Sequence, residues 1–98
     1  MYRNTILVTR PAGVQWFRDA DPDTHSGYQT WLQSQPGFIS NESVSPTDDE
    51  LTVTQLWESQ AQFYAMKSQQ ALRAEFQSKK AYEAQVGITA TVIFRGDV

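Results

Sequence analysis

The chain carries one histidine, His25, and no cysteine, so few groups in it can move a proton or attack a substrate near neutral pH. His25 is either a base facing a pocket or a solvated residue in the first turn of a helix. Lack of cysteine removes disulfides, thiolate nucleophiles and thiolate metal sites. Tyr64 offers a hydroxyl donor, or a ring lying on the core with its hydroxyl in water. Asn4 offers an amide, which must find partners if it is buried and otherwise serves as an edge or cap residue. Trp57 is a large ring suited to a pocket wall or, more commonly at such a corner, to the core. Arg95 suits an anionic substrate group or a salt bridge across a dimer, and the second reading is preferred. Asp19, Asp21 and Asp23 copy the opening of a calcium loop. Thr24 stands where that loop needs glycine, however, and Thr30 where it needs a bidentate glutamate. Helix capping accounts for the aspartates, and no metal site is expected. There is no glycine-rich phosphate loop and no serine-centred nucleophile elbow.

The elements that must hold these residues are read from periodicity and caps. Leu51, Val53, Gln55 and Trp57 alternate with Thr52, Thr54 and Leu56, the period of a strand. Ser59 then caps a helix, with Gln62 three residues on completing a capping box and Phe63 and Met66 on its apolar side. Upstream, Asn4–Arg10 is a β-branched first strand with both faces partly covered. Pro11-Ala12-Gly13 interrupts it, and Val14 and Trp16 are expected to resume it as a short or bulged extension. Asp21-Pro22 opens helix one, whose apolar face reads Tyr28, Trp31 and Leu32 with His25 one turn earlier; Pro36-Gly37 ends it. Phe38–Ser45 is a second strand, joined through the turn at Pro46–Asp49 to the Leu51 strand as a hairpin.

After the Ser59 helix, apolar positions continue at Ala71, Leu72 and Phe76. Ser68 and the following glutamine pair predict a break and a second, short helix ending near Val86-Gly87. Ile88–Arg95 is the last strand, with Ile88, Ala90, Val92 and Phe94 set against Thr89, Thr91, Ile93 and Arg95. The order β-α-β-β-α-β is that of the ferredoxin-like, split βαβ class: an α+β fold with a four-stranded antiparallel sheet and helices on one face. The other sheet face needs a cover, and in a chain this short a second copy of the molecule is the natural one, so a homodimer through the open face is expected.

Composition agrees with one domain over residues 1–98, which have 40% hydrophobic residues and three Trp, four Tyr and five Phe. A net charge of −3 disfavours nucleic acid and anionic membrane as partners, and the Lys79-Lys80 pair reads as a solvated helix face. No apolar run approaches membrane-spanning length and the N-terminus lacks the regions of a signal peptide, so a cytoplasmic protein is expected.

Three stretches, NTILVTRPAG, WLQSQPGFIS and TQLWESQAQFYAMKS, together resemble the antibiotic biosynthesis monooxygenase-like families of dimeric α+β barrels. The resemblance covers most of the chain and implies two protomers joined by their sheets, each with a pocket between sheet and helices. Members include cofactor-independent monooxygenases of polyketide or quinol-type aromatics and haem-degrading enzymes. On this resemblance Asn4 takes the place of a pocket asparagine on strand one. Met66 and Phe76 fall where the haem-degrading relatives keep a tryptophan and an iron-ligating histidine, so haem is not expected and no cofactor is assigned.

Oxygen activation without a cofactor needs an electron-rich substrate, deprotonated and held as an anion in dry surroundings. For this the chain offers Asn4, His25, Trp57 and Tyr64 as catalytic candidates, and Trp31, Phe63, Met66, Phe76 and Arg95 as contacts to a small apolar or aromatic ligand. The alternatives are a non-catalytic ligand-binding or stress-related dimer, and an isomerase or lyase on the same scaffold.

Overall fold

Two strands of alternating β-branched residues lie at the centre of the sheet. In the computed structural model, which describes residues 1–98, β1 (Tyr2–Thr9) pairs antiparallel with β3 (Glu50–Trp57) on one side and β4 (Thr89–Asp97) on the other. β2 (Phe38–Val44) completes the sheet outside β3, giving the order β2-β3-β1-β4, all antiparallel, which is the ferredoxin-like arrangement. Register fixes the faces. Asn4 stands opposite Gln55 and Arg95, and Ile6 opposite Val53 and Val92, so these side chains share the face turned to the helices.

The strand extension expected at Val14 and Trp16 does not form. Gly13 turns the chain at φ 82°, Val14 N bonds back to Pro11 O at 3.2 Å, and Trp16 is the N-cap residue of a one-turn helix, α1 (Phe17–Ala20). The cause is burial. Trp16 is 6% exposed and packs with Val8 and Ile88 in a small core under that end of the sheet, where a strand could not place it. Helix α2 (Pro22–Gln33) starts as the sequence predicts, with Pro22 at its first position and Asp21 accepting from Thr24 N at 3.3 Å. That bond is the job of the middle aspartate of the D-x-D-x-D stretch.

The Ser59 cap forms, accepting from Gln62 N at 3.2 Å and donating to Gln62 Oε1 at 2.9 Å, and opens α3 (Gln60–Gln70). The expected break falls at Ala71–Arg73, a little later than Ser68. The helix beyond it, α4 (Ala74–Val86), is at 13 residues longer than α3 rather than short, and ends at Gly87 in the left-handed region. The larger core, with Leu32 and Trp57 fully buried and Tyr2, Tyr28, Phe63 and Met66 nearly so, lies where α2 and α3 meet the sheet.

The alternation expected in β4 holds only to Val92. Thr5 pairs with Phe94 and Ile6 with Val92, so Ile93 is an extra residue, a β-bulge. Past it Phe94 lies on the open sheet face under the Arg3 guanidinium, 4.6 Å from its ring centroid, and Arg95 turns toward the helices. No helix is long and apolar enough to cross a membrane.

Candidate functional site

Between the helix-facing side of the sheet and the helices lies a cavity of about 440 Å³, a size typical of small-molecule sites. The strand periodicity brings Asn4, Ile6 and Val8 of β1 and Leu51, Val53 and Gln55 of β3 to its floor. Helices α2, α3 and α4 supply the roof, with His25, Phe63, Met66 and Phe76 among the lining side chains.

Asn4 is 7% exposed and sits on the cavity floor between Gln55 and Arg95. Its Oδ1 accepts from Arg95 Nε at 2.8 Å. Because a guanidinium can only donate, this contact fixes which way the amide points and leaves Nδ2, which has no protein partner, as a donor on the cavity side. Asn41, on β2, adds an unsatisfied acceptor: its Nδ2 donates to Gln29 at 2.9 Å while its buried Oδ1 has no partner.

His25 lines the cavity, and its pKa is lowered from the ordinary histidine value by burial first, then by the positive charges of Lys79 and Arg18, with Asp19 pulling the other way. A neutral imidazole is the form that can take a proton. Tyr28, also lining the cavity, accepts a hydrogen bond from Gln70 Nε2, and burial raises its pKa, so it stays a phenol.

Of the nine residues singled out in the sequence, the fold brings six to this cavity: Asn4, His25, Phe63, Met66, Phe76 and Arg95. The other three stand elsewhere. Trp57 is fully buried in the larger core, its Nε1 donating to Gln55 Oε1 at 3.1 Å. Trp31 packs on Tyr28 from outside, with the Arg73 guanidinium 5.2 Å from its ring centroid. Tyr64 is 42% exposed, its ring packs edge-on against Phe63, and its hydroxyl lies 3.5 Å from that of Tyr2 and beside Arg95. The sequence alone passes over Lys67 and reads Lys79 and Lys80 as a solvated helix face. Lys67, Lys79 and Lys80 all line the cavity, and Lys79 is largely withdrawn from solvent rather than on a solvated helix face. Spacing gave a signal in retrospect, since Phe76, Lys79, Lys80 and Glu83 fall at i, i+3, i+4 and i+7 on one helix face.

No protein-family model matches the chain, and no curated protein is similar to it in sequence. Its fold is found among solved structures. A candidate antibiotic biosynthesis monooxygenase from Deinococcus radiodurans aligns over 100% of this chain and 95% of its own with a TM-score of 0.67 at 8% identity. A second, from Nitrosomonas europaea, aligns over 96% and 97% with a TM-score of 0.58 at 14% identity. The ActVA-Orf6 monooxygenase of Streptomyces coelicolor, solved in complex with nanaomycin D, aligns over 98% and 89% with a TM-score of 0.57 at 17% identity. The chain thus has the fold of the antibiotic biosynthesis monooxygenase-like proteins, in line with the resemblance carried by its strand-one, Pro36-Gly37-Phe38 and Trp57-Glu58-Ser59 segments.

Proposed function

We propose that the protein is a cofactor-independent monooxygenase-type enzyme for a small aromatic or enolisable compound, and that it works as a cytoplasmic homodimer joined through the open sheet face. The observation that carries the reading is the Asn4 amide, buried on the cavity floor, oriented by Arg95, with its Nδ2 free to donate. A donor fixed in advance and shielded from water stabilises an oxygen that gains negative charge more than a mobile one would.

His25 would take the proton from an acidic C–H or phenolic O–H of the substrate, and Asn4 Nδ2 would hold the resulting oxyanion. Such an anion is electron-rich enough to pass one electron to dioxygen. Recombination of the two radicals gives a peroxide anion at carbon, the His25 imidazolium returns its proton to that anion, and loss of water with the hydrogen remaining on the same carbon leaves a carbonyl. Phe63, Met66 and Phe76 would confine the rings, while Trp57, Trp31 and Tyr64 act from behind by holding Phe63 and Tyr28 in place. The neighbour solved with nanaomycin D supports an aromatic ligand for this scaffold.

The test is oxygen uptake by purified, metal-free protein across anthrone, quinol and enolisable aromatic compounds, with Asn4→Ala alongside. Uptake that Asn4→Ala abolishes supports the reading; no uptake with any compound overturns it.

A further inference from the structure

Charge in the cavity runs against charge in the chain. The whole molecule has 8 Lys and Arg against 11 Asp and Glu. Around the cavity the basic residues number five, Arg18, Lys67, Lys79, Lys80 and Arg95, and the acidic ones one, Glu83. Five of eight bases but one of eleven acids therefore converge on a single concavity, a sorting that an unspecialised surface would not produce and that raises the local concentration of anions.

Internal pairing accounts for part of it. Glu83, 7% exposed, lies 3.7 Å from Lys79 Nζ and 3.9 Å from Lys80 Nζ, and Arg18 has Asp19 at 4.0 Å. Lys67 and Arg95 have no carboxylate within 4.0 Å. They nevertheless converge on one ring: Arg95 Cζ is 5.1 Å and Lys67 Nζ 5.9 Å from the Phe63 centroid. The face of Phe63 offsets some of their repulsion, but it is a weak counter-charge for two cations. Burial and the neighbouring positive charges of Arg95 and Lys80 hold the Lys67 ammonium below the ordinary lysine range, as expected of a cation short of a partner.

The geometry points to a substrate that is itself an anion, a planar aromatic carboxylate whose rings lie against Phe63, Met66 and Phe76 and whose carboxylate is received by Arg95 and Lys67. Arg95 spends its Nε on Asn4, its Nη groups lie beside the Tyr64 hydroxyl and turn to meet the carboxylate oxygens, and Lys67 adds a mobile point charge beside them. The two devices divide the work: the carboxylate anchors the ligand, and the Asn4 amide donor waits for charge that develops elsewhere on it. This inference rests on the cavity being the ligand site proposed above.

It is tested by isothermal titration of the wild-type chain with 2-naphthoate and with 2-naphthamide, a neutral probe of nearly the same shape, at low and at high salt. The acid should bind about tenfold tighter or better, since a charge-assisted hydrogen bond contributes on that scale, and its advantage should shrink with salt. Arg95→Gln and Lys67→Gln should each weaken the acid more than the amide, with melting curves reporting that both variants fold. Equal affinity for acid and amide in the wild type, or no saturable binding of the acid, overturns the inference, and that comparison needs no variant. The outcome separates from that of the oxygen assay. Oxygen uptake with equal affinities sinks the anion preference alone, and acid preference without uptake sinks the oxygenase reading alone.

Discussion

Arg95 and Asn4 stand opposite each other in the β1–β4 ladder, and Arg95 Nε donates to Asn4 Oδ1 at 2.8 Å. One contact therefore does two things, satisfying a buried amide and choosing its orientation. Asn4→Ala should lower turnover by about a hundredfold, the usual cost of removing one donor to a developing oxyanion. It should cost about 1.5–3 kcal/mol of stability, because the bond lost is to a charged group. Oxygen-uptake kinetics and denaturant unfolding check the two numbers, and unchanged turnover would remove Asn4 from the chemistry.

His25 should titrate below its ordinary value of 6.5, because burial and the nearby Lys79 and Arg18 charges disfavour the imidazolium. The unfolded chain then binds this proton at higher pH than the folded one. Stability from this group is therefore fully present above 6.5 and is lost as pH falls through the depressed folded value. A base at this position also gives a rate that rises with pH with its midpoint below 6.5. As the sole histidine, it yields a single set of imidazole resonances, and an NMR midpoint at or above 6.5 would contradict the expectation.

Gly37→Ala should destabilise the fold by about 1–3 kcal/mol, the range for a non-glycine residue forced into a sparsely populated conformation. Gly37 has φ 84°, and a Cβ there would run into the Gln62 side chain. Its carbonyl also accepts from Glu58 N at 2.8 Å, tying the start of β2 to the end of β3. The denaturation midpoint should drop with its slope unchanged.

The open sheet face presents Leu7, Val44, Leu56 and Phe94 among threonines, with Thr5 and Thr54 hydroxyls 3.1 Å apart, and Val44 is 64% exposed. Sedimentation at micromolar concentration should give a dimer, and Leu7→Asp, which places an unpaired charge on a central strand of that face between Thr52 and Thr91, should give a monomer. A wild-type monomer would rule out the homodimer.

Much of this was legible from period and punctuation. β3 and the Ser59 cap, Asp21-Pro22 as a helix start, and the strand order all follow from residues within a few positions of each other. What escaped the sequence depended on distant packing. Trp16 reads as strand because it alternates with Val14, yet it leaves the sheet to fill space beside Val8 and Ile88. Lys79 and Lys80 read as solvent-facing because they are charged and adjacent. Only the docking of α4 against α2, with Glu83 beside it, draws Lys79 inward, while Lys80 keeps half of its side chain in solvent. Long flexible side chains carry no local mark of the direction in which they will be held.

The extra residue at Ile93 bears on the chemical character of the cavity. From Val92 onward, which surface a β4 side chain serves depends on whether the count of residues between two fixed points is odd or even. Deleting Ile93 alone would close the bulge with Thr5 still opposite Phe94 and Asn4 still opposite Arg95, whereas a regular ladder that kept Ile93 would send the ring of Phe94 inward and the guanidinium of Arg95 outward. That character is thus written partly in parity: the residue that Ile93 adds to the strand leaves the pocket wall charged only because the bulge absorbs it.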